Sequence, residues 1–305
     1  MKKEKTAGKA KTVGTLFTGD DLKKLIFPLI IEQILAVSVG MVDTMMVSSA
    51  GEAATSGVSL VDIINVLIIN IFAAVATGGA VVTSQFLGQK RKDRACQSAD
   101  QLILVTGVVA LVIMTLSILF RWQLLNLIYK GVTAEVMKNA VIYLTISAIS
   151  YPFLAVYNSC AALFRSMGNS KISMQASIIM NVINVIGDAL FIFGFHWGIK
   201  GAAWATVIGQ IVSGIMVIVY FGRFRKMELK KEMFRPRGHL LKMILSLGMA
   251  SCINQIAMAV VQITMNNTLR YYGAASVYGT DIPLACVGVI SKVNMVFMAI
   301  AIGIS

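Results

Sequence analysis

Residues 172–195 read ISMQASIIMNVINVIGDALFIFGF. The run is long enough to cross a bilayer, which takes about 20 apolar residues. Yet it carries Asn181, Asn184 and Asp188. At about 100° per residue these three fall at roughly 0°, 300° and −20°, so they share one helix face. An ionisable side chain at membrane depth costs roughly 2.5–3.5 kcal/mol on insertion scales. Such a group normally faces a bundle interior or a wet cavity and marks an ion or substrate path. A lone Asn is ordinary inter-helix glue; three polar groups on one stripe, ending in an acid, are more than that. A second acid, Asp43, lies in the first apolar run, 25–47.

The rest of the chain has the same character. Of its 305 residues 57% are hydrophobic and only 13% charged, against about a quarter charged in soluble domains. This is the composition of an all-α polytopic membrane protein. The net charge of +13 sits in short gaps between apolar runs, as the positive-inside rule requires. The aromatic–basic interleaving of nucleic-acid sites is missing, so nucleic acid is not an expected partner. Cys96, Cys160, Cys252 and Cys286 are far apart, without a CxxC pair, which speaks against a disulfide framework or a zinc site. No GxSxG, HExxH or P-loop occurs, and His196 and His239 stand at span ends. An enzyme is not expected.

Eight apolar stretches are read at 25–47, 57–87, 101–129, 139–164, 172–195, 201–222, 240–270 and 282–305. The amino-terminal segment and the second, fourth and sixth gaps carry Lys and Arg residues, while the first, fifth and seventh gaps are nearly bare. The amino terminus is therefore expected in the cytoplasm, with the bilayer itself as the surrounding partner. The most charged gap, FGRFRKMELKKEMFRPRGH, separates the sixth run from the seventh. The predicted division is a basic tail 1–21, a six-helix lobe 22–222, a cytoplasmic linker 223–239 and the first two helices of a pseudo-symmetric second lobe, 240–305. A weak repeat supports it. Laying the seventh run on the first puts Ile31, Gln33 and Ile34 on Ile253, Gln255 and Ile256. Laying the eighth on the second puts Asn70 on Asn294 and Gly79 on Gly303. A second lobe of six spans needs ~150 further residues, so the chain is expected to be a fragment of a longer product.

Candidate site residues follow from polarity at depth. Carboxylate, amide and hydroxyl oxygens are hard ligands that suit Na⁺ or a proton rather than a soft metal. A proton or Na⁺ would neutralise a buried acid, and a cationic substrate would compete with it. Glu32 lies on the Asp43 line of the first run and fits either the helix interior or the interface. Pro28 removes a backbone donor there and permits a bend. Gln33, Asn70, Asn181 and Gln255 are polar candidates for a substrate cavity. Met180, with Met41, Met45 and Met46, offers a pliable apolar surface. Gly201, Ala202, Ala203 and Ala205 allow close helix approach, with the Thr206 hydroxyl at the contact.

These residues resemble a known family. PLIIEQILAVSVGMVDTMMVSSAG (28–51) looks like the first helix of the multidrug and toxic compound extrusion transporters. GGAVVTSQFLGQKRKDRA (78–95) is similar to the second helix and its basic loop. FRSMGNSK (164–171) and NVINVIGDALFIFGFHWGIKGAAWAT (181–206) are similar to the approach to helix five and to helices five and six. The resemblance implies twelve helices in two six-helix lobes and a location in the bacterial cytoplasmic membrane. It implies export of organic cations or amphipathic drugs by antiport with Na⁺ or H⁺, by alternating access and without another cofactor. It implies a coupling site, able to take Na⁺, at Asp43, Asn184, Asp188 and Thr206, with Asn158 as a fifth partner. Where some members carry an acid in helix seven, the nearest group is Gln255, which cannot titrate. The alternative from the same superfamily is a flippase for a lipid-linked sugar or other amphiphile, which calls for a cationic cavity. Substrate identity, the choice of ion and the oligomeric state stay open.

Overall fold

A computed structural model describes residues 19–129, 132–223 and 238–274, together with Ile290 and Asn294. Every regular element among the described residues is helical. They are α1 (Gly19–Ser48), α2 (Glu52–Gly88), α3 (Lys92–Leu119), α4 (Arg121–Ile128), α5 (Ala134–Ala148), α6 (Tyr151–Ser166), α7 (Ser170–Asp188), α8 (Ile199–Arg223) and α9 (Gly238–Ala274). A π-helical turn, Ala189–Gly194, continues α7. Among the described residues six helices are long and apolar enough to cross a membrane, or seven if α5 and α6 form one broken span.

Two spans differ from the reading of the sequence. The third, expected at 101–129, starts at Lys92 and ends at Leu119; Phe120 breaks the helix and α4 follows as a separate short piece. The fourth, expected as one run at 139–164, is two helices bent by 52°. Its break, Ile149 and Ser150, lies just ahead of Pro152 at the start of α6. Proline lacks the N–H that an unbroken helix would use, and it disfavours helical backbone in the residue before it. The eighth span lies outside the described residues except for Ile290 and Asn294, as do most of the basic tail and linker residues 224–237.

α2 is the axis of the bundle, packing against α3, α5, α6 and α9, while α1 lies on α7 and α7 on α8. With 37 residues it extends about 55 Å, well beyond the ~30 Å of a hydrocarbon core. The core runs through Val61, Phe72, Leu102, Leu144, Leu163 and Phe164. Many large apolar side chains stand outside, among them Leu111, Val112, Ile186 and Ile215; for a helix in lipid this is the expected outer face. Polar clasps tie the interior. Thr106 and Ser159 hydroxyls meet at 2.7 Å between α3 and α6, and Thr83 donates to Ser98 at 3.1 Å between α2 and α3.

Small residues bring α7 and α8 together. Ala202, Ala203 and Ala205 are buried. A methyl added at Gly187 would stand 2.8 Å from the Ala205 Cβ, and one at Gly209 would stand 2.8 Å from the Met180 carbonyl oxygen. Only a residue with no side chain permits that approach. It is this contact that places Asn184 against Thr206.

Candidate functional site

Six helices converge on a cavity of about 410 Å³. Each contributes a stripe at helical spacing. α1 supplies Ala36, Val39, Gly40 and Asp43; α2 supplies Asp62, Asn65, Val66 and Ile69. α5 brings Tyr143 and Ser147, the bend and the first turn of α6 bring Ser150, Tyr151 and Leu154, α7 brings Met180, Asn181 and Asn184, and α8 brings Thr206 and Gln210. None of the lining residues is Lys, Arg or His.

Asp188 lies one turn beyond Asn184, at the last α-helical residue before the π-turn. Single π-turns within helices often mark functional sites. Its side chain is fully buried, and neither carboxyl oxygen has a hydrogen-bond partner among the described residues. Asp43 faces it within reach of a single shared proton. Asp43 Oδ1 is likewise buried and without a partner. Two acceptors thus meet with no donor between them. A buried acid pair in this state is costly unless a proton or a cation enters.

The neighbouring groups are ordered by protein contacts. Asn184 Nδ2 donates to Thr206 Oγ1 at 3.0 Å, and Thr206 Oγ1 donates to the Ala202 carbonyl at 3.1 Å. The Asn184 amide is therefore turned so that its nitrogen is engaged and its oxygen is available. Asn181 Nδ2 donates to Ser177 Oγ at 3.4 Å. Tyr143 is buried in the neighbourhood of the acids, with its hydroxyl beside Thr206. Opposite, Tyr151 Oη donates to Asn65 Oδ1 at 2.8 Å and its ring meets Phe72 edge-on.

Asp43, Asn184, Thr206, Asn181 and Met180 come together here, with Asp188 directly behind. The other residues singled out from the sequence do not line this cavity. Asn158 Nδ2 donates at 2.9 Å to the Leu154 carbonyl of its own helix. Gln33, Asn70 and Gln255 are half-buried elsewhere on α1, α2 and α9. Pro28 is buried within α1. Glu32 belongs to a different cluster. Ser173 Oγ donates to its Oε2 at 2.7 Å, Tyr157 Oη to its Oε1 at 3.4 Å, and Arg165 lies 3.8 Å from Oε1.

The sequence reading does not single out Asp62, Tyr143 or Tyr151. For Asp62 the signal was present, an acid between Val61 and Ile63 inside an apolar run. Among the described residues no three His, Cys, Asp or Glu side chains gather as a metal-binding group. A Na⁺ here would be held by Asp43 and Asp188 with amide and hydroxyl oxygens of Asn184 and Thr206, a hard-oxygen set.

The fold and the cavity define a multi-pass helical membrane protein built around an acidic internal site. The MatE family model matches residues 28–190, more than half of the chain, and the chain belongs to that family. It is 29% identical over 260 residues to the uncharacterized transporter YisQ of Bacillus subtilis, covering 83% of this chain and 56% of YisQ. It is 25% identical over 288 residues to the multidrug export protein MepA of Staphylococcus saprophyticus, covering 89% and 63% of the two chains. The chain thus spans about six-tenths of the length of these relatives. The fold matches a solved MOP superfamily transporter from Pyrococcus furiosus, described as having a binding pocket of reverse polarity. The TM-score is 0.85 at 19% identity, over 93% of this chain and 62% of that one. The same values hold for the outward-facing conformation of a multidrug resistance MATE family transporter.

Proposed function

We propose that this chain carries the ion-coupling site of a multidrug exporter of the bacterial cytoplasmic membrane, driven by Na⁺ or H⁺ antiport. Residues 22–222 form the lobe that holds the site, 223–239 link it, and 240–305 open a second lobe. The amino terminus lies in the cytoplasm. One observation carries the reading: the buried Asp188 carboxyl facing Asp43 with no donor among the described residues. Such a pair is quiet only when a proton or a cation occupies it, so its occupancy changes with the ion on either side of the membrane.

Loading the pair removes repulsion between α1, which carries Asp43, and α7, which carries Asp188. The bend permitted by Pro28 gives α1 room to respond. Export follows from that change in α1 because α1 forms one wall of the cavity. Multidrug export by MepA, a relative of this chain, supports organic cations and amphipathic drugs as substrates. A flippase for a pyrophosphate-linked lipid needs basic groups in its cavity, and the lining here offers acids instead.

The test is ethidium efflux from cells and inverted vesicles carrying the full-length protein, with Na⁺ and pH gradients imposed separately. Asp43→Asn and Asp188→Asn are expected to lose gradient-driven efflux at normal expression, and the gradient that drives wild type names the ion. Wild-type efflux in both variants would overturn the reading.

A further inference from the structure

The cavity holds one more acid than its ion pair accounts for. Asp62 stands on the α2 wall, half-buried, and receives no hydrogen bond or ion pair from any described residue. No lining side chain is basic. Arg165 is engaged with Glu32. A single proton or Na⁺ between Asp43 and Asp188 therefore leaves the Asp62 carboxyl without a partner among the described residues. Asp62 is also a separate point in space. It is close enough to feel the charge of Asp43, yet the three acids do not converge as metal ligands do.

What surrounds Asp62 is suited to an organic cation. On its own helix face Val66 and Ile69 follow at helical spacing, and Leu154 and Met180 complete an apolar wall. The tie between Tyr151 and Asn65, one turn from Asp62, uses the donor and acceptor that would otherwise compete for a ligand there. Pockets for small molecules have this make-up, a mostly apolar lining with few placed polar groups and a volume of roughly 300–1,000 Å³.

Resting on the exporter reading, we propose that Asp62 anchors the positive charge of the exported amphiphile, at a point distinct from the Asp43–Asp188 pair that takes the coupling ion. Ion and substrate then influence each other through the field across the cavity rather than by exclusion from one carboxylate.

The experiment uses the full-length protein in nanodiscs, with ethidium as the probe and binding read by fluorescence. Asp62→Asn is expected to weaken ethidium by roughly 10- to 100-fold, the loss of one close charge contact in a partly screened site. Asp62→Glu, which keeps the charge, is expected to stay within about threefold, in line with a field effect. Asp62→Asn is also expected to retain ion binding, shifted by no more than about threefold through the lost field, read as ²²Na⁺ uptake or as proton uptake after a pH jump. Wild-type ethidium affinity in Asp62→Asn would overturn the proposal, as would joint loss of ethidium and ion binding in a folded variant. A second measurement needs no variant. In wild type, saturating ion is expected to shift ethidium affinity to a plateau, whereas unlimited competitive displacement would place both ligands on one carboxylate and overturn the proposal. Failure of the exporter reading looks different, since it appears as gradient-driven efflux retained in Asp43→Asn and Asp188→Asn.

Discussion

Helix α1 turns two carboxylates eleven residues apart into the bundle, Glu32 buried and Asp43 half-buried, and they live in opposite circumstances. Glu32 accepts from Ser173 and Tyr157 and has Arg165 beside it. Asp43 meets a second acid and has one oxygen with no partner. The first cluster is complete, and its work is to pin α1 to α6 and α7. The second is incomplete, and completing it requires something from outside the protein. Depth alone does not separate a structural acid from a functional one. The inventory of donors around it does.

That contrast can be broken by substitution. The largest effect is expected for Asp188→Asn, with gradient-driven efflux falling to background while thermal stability in detergent is unchanged or raised, because a buried unpaired charge has been removed. A stable, fully active Asp188→Asn protein would end the comparison. Glu32→Gln is expected to do the reverse. It leaves Arg165 without its partner and lowers stability, while efflux stays within a few-fold of wild type. Breaking a fully buried pair costs roughly 3–5 kcal/mol; since Arg165 is 32% exposed, about 1–3 kcal/mol is expected. A thermal melt paired with an efflux assay decides it, and loss of efflux at an unchanged melting point would move Glu32 into the functional class.

Smaller effects sharpen the picture. Gly209→Ala places a methyl 2.8 Å from the Met180 carbonyl oxygen, an overpacking cost of about 1–3 kcal/mol. It is expected to separate α7 from α8 and lower ion affinity through displacement of Asn184 and Thr206, measured by ion titration of the purified protein. Thr206→Ala removes the acceptor of the Asn184 amide, worth about 1 kcal/mol, or roughly fivefold in ion affinity by the same titration. Asn158→Ala is expected to change efflux by less than about twofold, since its amide is bonded within α6.

Much of the fold was readable because lipid imposes a simple rule, a long apolar run for each crossing. The exceptions were internal. Phe120 carries no breaking signal in the sequence, yet α3 ends before it and α4 starts after it. Pro152 was visible, but the 52° angle at Ser150 depends on neighbours. In the site, Asn184, Asp188 and Asp43 were readable because a carboxylate in a hydrophobic run is rare. Asp62 carried the same mark, and Asn65 and Asn70 beside it drew the eye instead. Gln33, Asn70 and Asn158 are also polar at depth, yet they do not line the cavity. Helical periodicity says which residues share a face, and only the packed bundle says what that face looks at.

The crossing of α2 and α9 has a mechanical meaning. A methyl at Gly78 would stand 2.6 Å from the Gly248 backbone nitrogen, so the two main chains touch with nothing compressible between them. Such a point acts as a fulcrum. Asp62 is sixteen residues up the same helix, about 24 Å along its axis. For a straight helix, a tilt of about 10° at the fulcrum sweeps that carboxylate through about 4 Å, more than the reach of a hydrogen bond. This 37-residue helix is in this sense a lever arm, with bare backbone at the pivot and a carboxyl group toward the moving end.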